Sequence, residues 1–244
     1  MSRMVQAGFV LALLLLWYLA TEFWGVSGLL LPKPGAVLRA FLDVLQTGEF
    51  VFDLRVTLGE LAAAFALAAV SGTVLGYSIS RSPYWTRAVE PLVSAIYAIP
   101  IILFLPLYVL FFGLGPASKI ALGATIGFFP VVLSTVAGFG GVERIYTVTA
   151  RSMGCSDYQL FRWVLLPAAF PVILAGMRLG FTVALLSIIG SEALASLAGL
   201  GHHIVELSEN MEMPGMFAYI AFVVAIAAIL NLIVSTLEAW GRRP

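Results

Sequence analysis

Few residues in this chain have the type and spacing to do chemistry. Lysine occurs only as Lys33, which follows Pro32, and Lys119, which follows Ser118. A phosphate-binding loop needs a glycine-rich turn closed by Gly-Lys-Ser/Thr, whose backbone N–H groups and ammonium hold the phosphates. Neither lysine can serve ATP hydrolysis by that route. His202, His203 and Glu206 lie within about one helical turn, but adjacent histidines point to opposite sides of a helix and no third ligand is fixed. Metal ligation is therefore not expected, and the pair reads as solvated loop histidines. Cys155 is the single cysteine, which excludes an internal disulfide and a thiolate metal cluster. No hydrolase triad can be assembled. What remains are two charges in apolar surroundings, Arg178 and Glu192, and such groups are costly unless they face a protein or water-filled interior. They stand 14 residues apart, about 21 Å along one helix, too far to pair with each other. Arg178 either snorkels to the inner interface or faces the interior. Glu192 falls near the outer end of its segment, where it is either interfacial or part of a gate.

The elements that carry these residues follow from composition. Hydrophobic residues make up 61% of the 244 and charged residues 11%, with a mean hydropathy of +1.03. A soluble domain has about a quarter of its residues charged, so a soluble enzyme and a disordered chain are both excluded. The formal net charge of zero offers no basic surface for nucleic acid. Uncharged runs locate the spans: 18 residues between Arg3 and Glu22, 20 between Glu60 and Arg81, 28 between Glu90 and Lys119, 23 between Lys119 and Glu143, and 25 between Glu212 and Glu238. Each can cross a hydrocarbon core about 30 Å thick. A further apolar stretch contains Arg178 and ends at Glu192. The expected fold is an all-α polytopic membrane protein, one transmembrane domain over 1–244, with six spans at about 5–23, 57–79, 91–113, 120–141, 166–191 and 215–238. No convincing cleavage site follows the first run, which reads as an anchor rather than a signal peptide.

Basic residues set the orientation. With the N-terminus inside, the inner segments hold Arg3, Arg81, Arg87, Arg144, Arg151, Arg162, Arg242 and Arg243; the outer ones hold Lys33, Arg39, Arg55 and Lys119. Both termini are expected inside. Outside, Ala36 to Leu45 reads as a short amphipathic helix at the interface or as a plain linker. The inner loop 142–163 reads as helix, break, helix. Ile145 to Met153 comes first, Gly154 suits a left-handed position after the helix end, and Ser156 or Asp157 can cap a restart toward Phe161. Its apolar residues Ile145, Val148 and Met153 need something to pack on, either the bundle itself or a separate protein. Pro91, Pro100, Pro106, Pro130, Pro167 and Pro171 interrupt the spans, and such irregular helices fit a transporter better than a static anchor.

The inner loop resembles the membrane-spanning permease of bacterial binding-protein-dependent ABC importers. That family's hallmark is Glu-Ala-Ala, three residues, Gly, nine residues, Ile, one residue, Leu-Pro. Here the same spacing is filled by Val148, Thr149, Ala150, Arg151, Ser152, Met153, Gly154, then Val164, Leu165, Leu166 and Pro167. Ala150, Gly154, Leu166 and Pro167 match; Val148 stands where the family has glutamate and Thr149 where it has alanine. Leu31-Pro32-Lys33-Pro34, Ala98-Ile99-Pro100, Phe112-Gly113-Leu114-Gly115, Phe128-Phe129-Pro130 and Gly199-Leu200-Gly201 are similar, in order and spacing, to the nitrate, sulfonate, taurine and bicarbonate group of these permeases.

The resemblance implies a type I importer fold and a function in ATP-driven import of a small solute, with an anion such as sulfonate, nitrate or bicarbonate favoured. It implies residence in the bacterial cytoplasmic membrane and a dimer with a second permease copy or a close relative. Two cytoplasmic ATPase subunits would dock on the inner loops, and an extracytoplasmic binding protein would deliver the solute. ATP and magnesium would belong to the ATPases, with no cofactor, metal or catalytic residue in this chain. The coupling residues implied are Val148, Thr149, Ala150, Arg151, Met153, Gly154, Leu166 and Pro167. Pro100, Pro130, Arg178 and Glu192 are the pathway or gate candidates. An ATPase-independent secondary transporter or channel is the competing class, and it would lead one to expect repeated halves or several intramembrane carboxylates. The orientation is checked by cysteine labelling in a Cys155→Ser background. A cysteine at Glu209 should react with an impermeant reagent in intact cells and one at Arg151 should not; the reverse pattern overturns it.

Overall fold

The computed structural model describes residues 2–23 and 25–241. Helix α1 (Ser2–Glu22) is followed by a short helix α2 (Pro34–Val44) and the long α3 (Gly48–Ser80). Next come α4 (Pro83–Tyr97), a 3₁₀ turn (Ile101–Phe104) leading into α5 (Leu105–Phe112), and α6 (Pro116–Gly140). The loop 142–163 forms α7 (Arg144–Ser152) and α8 (Asp157–Leu160); α9 (Leu166–Leu194), α10 (Leu200–Glu209) and α11 (Met213–Gly241) complete the described chain. No strand occurs among the described residues. The helix at 36–45 expected from amphipathicity corresponds to α2, which starts on Pro34, a residue suited to a helix's first turn. Phe41 of α2 stacks on Phe222 of α11 at 3.9 Å.

Among the described residues, four helices are by length and composition able to cross a membrane: α3, α6, the run Asp157–Leu194 and α11 through Thr236. The expected third span at 91–113 is not one straight helix. Pro83–Tyr97 and Ile101–Phe112 meet at 71°, with Pro100 preceding the 3₁₀ turn. A proline disfavours helical backbone in the residue before it and cannot donate a helical hydrogen bond, so Ile99-Pro100 is where the element breaks. α1 overlaps the expected first span, although its described apolar part, Leu11–Glu22, is shorter than the others. It is tied to the rest by Trp17, whose Nε1 donates to Pro32 O at 3.0 Å.

The centre of the bundle is a three-helix unit of α3, α6 and α9. Small residues make it possible. Ala64, Ala68, Gly72 and Gly76 recur every fourth position along the buried face of α3, while Leu67, Val70 and Val74 on its opposite face are exposed. Repeats of this kind let helix backbones approach closely in a bilayer, where dispersion packing replaces the hydrophobic drive between helices. The tightest crossing is between α6 and α9, where a Cβ on Gly180 would lie 2.7 Å from Gly127 O. Pro130, one of the pathway candidates, is buried inside α6 at this crossing, and its carbonyl faces Gly176 of α9.

Gly180→Ala should therefore destabilise the detergent-solubilised protein by about 1–3 kcal/mol through overpacking. Gly140→Ala, where a Cβ would meet nothing within 4 Å, should shift stability by no more than about 1 kcal/mol. Thermal unfolding of the two variants side by side checks the packing; equal midpoints would contradict it.

Candidate functional site

Two sites stand at opposite ends of the three-helix unit. The first lies where α3, α6, α9 and α10 meet. Asp53, Thr57 and Glu60 follow each other at spacings of four and three on α3, so they share one helix face. All are buried, as are Lys119 of α6 and Glu192 of α9, the last at 0% exposure. Thr57 Oγ1 donates to Glu192 Oε1 at 2.7 Å. The backbone N–H groups of Gly199, Leu200 and Gly201 then donate in turn to Asp53 Oδ1 at 2.9 Å, Thr57 Oγ1 at 3.0 Å and Glu192 Oε2 at 2.9 Å. The first N–H groups of a helix lack intrahelical acceptors and carry its positive dipole end. α10 has no capping side chain of its own, and its N-terminus is capped by side chains of two other helices.

Gly-Leu-Gly is the sequence this geometry requires. Gly199 has φ +110°, a conformation that L side chains rarely adopt. A Cβ there would run into the Glu192 carboxylate, and a Cβ on Gly201 would lie 2.8 Å from Glu192 Cβ. Beside the cap, Lys119 Nζ is 2.6 Å from Glu60 Oε1 and donates to Ser196 Oγ at 2.7 Å. Ser196 Oγ in turn donates to Ala198 O at 2.6 Å. The loop between α9 and α10 is thus held from both sides.

Several expectations change here. Glu192 is not an interfacial carboxylate; it is sealed inside and accepts two hydrogen bonds. Lys119, counted above as an outer-loop base, is 2% exposed within α6. Being paired, Glu60 and Lys119 lie inside helices longer than the uncharged runs: α3 starts at Gly48 and α6 at Pro116. His202 and His203 are in α10, not in a solvated loop. His203 Nδ1 lies 3.3 Å from Glu206 Oε2 and 3.6 Å from Asp53 Oδ2, and its ring packs 4.4 Å from that of Tyr219. Arg178 does not merely snorkel: its Nε donates to Asn231 Oδ1 of α11 at 3.0 Å.

Next to this network, where the third element bends, a cleft of about 370 Å³ is lined by Tyr97, Pro100, Ile101, Ile126, Leu186 and Ser187 among others. Of the four pathway candidates it takes in Pro100 alone; Pro130, Arg178 and Glu192 lie elsewhere.

The second site is the inner hairpin. α7 ends at Ser152, Gly154 takes φ +80°, and Ser156 forms a capping box with Gln159 that starts α8. Ala150 and Leu160 are buried and fix the hairpin to the bundle, whereas Ile145 is 60%, Val148 48% and Met153 79% exposed. Thr149, Arg151 and Gly154 are exposed as well. The apolar residues thus remain unpacked against their own bundle. Leu166 and Pro167 do not begin a separate element. A π-helical turn at Phe161–Leu165 joins α8 to α9, so Asp157–Leu194 is a single helical run of 38 residues. The wider turn accommodates Pro167, which lacks an N–H and clashes with the preceding turn of a regular helix.

A kinked all-helical bundle with an exposed inner hairpin running into a central span has the architecture of a type I ABC importer permease. In fold it matches an inward-facing methionine ABC transporter, with a TM-score of 0.61 at 17% identity over 87% of this chain and 99% of that one. An amino acid ABC transporter with histidines matches at TM-score 0.62 and 19% identity, over 85% of this chain and 95% of that one. The family model for binding-protein-dependent transport system inner membrane components matches residues 68–242, and the chain belongs to that family. It is 30% identical to the taurine transport system permease protein of Escherichia coli (strain K12), over 95% of this chain and 87% of the relative. It is 31% identical to the formylaminopyrimidine transport permease protein of Halalkalibacterium halodurans, over 91% and 88%. A putative aliphatic sulfonates transport permease protein of Bacillus subtilis (strain 168) is 29% identical over 91% and 81%. The protein is a multi-pass permease subunit of an ABC importer, a transport component whose system includes an ATPase and a binding protein; the secondary-transporter alternative finds no support.

Removing the Glu192 carboxylate leaves the Thr57 hydroxyl and the Gly201 N–H buried, at a cost of about 1–3 kcal/mol for each unsatisfied group. Glu192→Ala should lower the unfolding midpoint and abolish uptake, whereas Glu192→Gln, which keeps an acceptor and the side-chain volume, should retain most of both. Equal, full uptake by the two variants would refute a role for this contact.

Proposed function

We propose that this chain pairs with a second copy of itself to form the translocation pathway for a small organic anion of the sulfonate type, delivered from outside by a binding protein. Two separate ATPase subunits seat on the inner hairpins and carry the ATP and magnesium; this chain hydrolyses nothing. Both termini face the cytoplasm, in keeping with the distribution of arginines. Similarity to taurine and sulfonate permeases supports the substrate class, while the equally similar formylaminopyrimidine permease fits a system in which the binding protein sets specificity.

The observation that carries the mechanism is the unbroken helical run from Asp157 to Leu194. One end is α8, the second helix of the hairpin whose Ile145, Val148 and Met153 are exposed; the other holds Glu192 in the buried outer network. A displacement of the hairpin by ATPase closure is passed along a stiff helix to the contacts that clamp the outer loop. The cleft at Pro100 lies against α9 through Leu186 and Ser187, so the same motion reshapes the pathway wall. Val148 in place of the family's glutamate makes the contact with the ATPase apolar at that position, alongside Ile145 and Met153. Arg151 supplies charge, restrained by Asp157 at 3.3 Å.

Gly154 sets the angle between the two hairpin helices. A β-branched residue there meets no steric neighbour but must adopt φ +80°, at a backbone cost of about 1–2 kcal/mol. Gly154→Val should leave the spans inserted while weakening ATPase association or uncoupling hydrolysis from uptake. Reconstituted complexes assayed for both activities in parallel decide it, and normal coupled transport by fully assembled Gly154→Val sinks the coupling role.

A further inference from the structure

Under the hairpin lies a second cleft, of about 310 Å³, which shares Arg151 and Asp157 with the coupling element but reaches past it to the end of α3. Its floor is aromatic: the Tyr77 ring is 5.0 Å from that of Phe139 and 4.9 Å from that of Phe161. Arg81, at the C-terminal cap of α3, and Arg151, in the last turn of α7, line it together with Asp157. Two arginines and one carboxylate line it, and since only Arg151 is paired with Asp157, at 3.3 Å, an excess of positive charge remains. The walls are the ends of spans: α3 stops at Ser80, α6 at Gly140, and the run into α9 starts at Asp157. The cleft therefore sits at the level where helices leave the bilayer.

We propose that this cleft binds the phosphate of an anionic phospholipid. Guanidinium groups suit phosphate oxygens because they present paired N–H donors in a fixed plane. Basic pockets between spans on the cytoplasmic side are suited to anionic headgroups. The aromatic floor favours a lipid over free phosphate, since rings of this kind belong at the membrane–water boundary and offer an apolar surface to the glycerol and first methylenes. A bare phosphate ion would use only the arginines. Bound there, a lipid bridges the end of α3 to α7 and braces the hairpin against the bundle, so anionic lipid content tunes how firmly the coupling element is held. The role in coupling rests on the reading of the hairpin given above; the binding itself does not.

The test is native mass spectrometry of the full-length chain in detergent, loaded with phosphatidylglycerol or with phosphatidylcholine. The wild type should retain phosphatidylglycerol in preference, and millimolar inorganic phosphate should not displace it. Arg81→Gln should cut retention about fivefold, the size expected for one basic residue near an anionic headgroup. Arg87→Gln removes an equal charge from the same side but outside the cleft, and should change nothing. Asp157→Asn, which relieves the cleft of its carboxylate, should raise retention and gives a readout of opposite sign that folding damage cannot mimic. Equal retention of the two lipids, equal effects of Arg81→Gln and Arg87→Gln, or displacement by inorganic phosphate would each overturn the proposal. Because lipid retention is measured without ATPase or transport, its failure leaves the coupling role of the hairpin standing. Failure of coupling in Gly154→Val likewise leaves lipid retention intact.

Discussion

Three consecutive backbone N–H groups, those of Gly199, Leu200 and Gly201, are taken up by Asp53, Thr57 and Glu192. Much of the outer half of the molecule depends on that arrangement. Carboxylates are costly to withdraw from water without charge-assisted hydrogen bonds, and a helix N-terminus is costly to bury without acceptors. Each need meets the other here, and the result is a cross-link between α3, α9 and α10. The Glu60–Lys119 pair extends it to α6 through Ser196. Breaking such a pair by removing one partner is far more damaging than never having it.

The middle of the bundle works by a different physics. Along α3, α6 and α9 the contact positions are glycine, alanine and other small residues, so backbones approach to the distance at which a single added Cβ collides. This close fit and the unbroken run from the hairpin to Glu192 make the two ends mechanically one piece. The third element is built differently, with a 71° break before the 3₁₀ turn that starts at Ile101, beside the cleft at Pro100.

The two clefts differ in a way that follows from their depth. That at Pro100 is lined mostly by apolar residues, with one tyrosine and one serine, and contains no charge. The one under the hairpin combines arginines with aromatic rings, the pairing that suits the proposed anionic headgroup. Arg178, a pathway candidate from the sequence, joins α9 to α11 through Asn231.

Much was legible before any coordinates. Apolar composition and uncharged run lengths determined a polytopic helical membrane protein, because a bilayer leaves the backbone few other ways to satisfy its hydrogen bonds. The hairpin was legible too, since Gly154 and Ser156 act through local backbone rules that need no distant partner. Even Gly199-Leu200-Gly201 stood out, but as a motif without a reason. What the tertiary structure decided was everything resting on residues far apart in the chain. Thr57 meets Glu192 across 135 positions and Lys119 meets Ser196 across 77. Reading charged residues as the limits of spans mistook Glu60 and Lys119 for boundary markers, because a charge looks the same in sequence whether water or an opposite charge solvates it. Likewise Glu192 could be read from the sequence as interfacial or as part of a gate, because nothing beside it in sequence marks the donors that make its burial tolerable. Those donors are supplied by α3 and α10, and only the packing of α3, α6 and α9 brings them within reach.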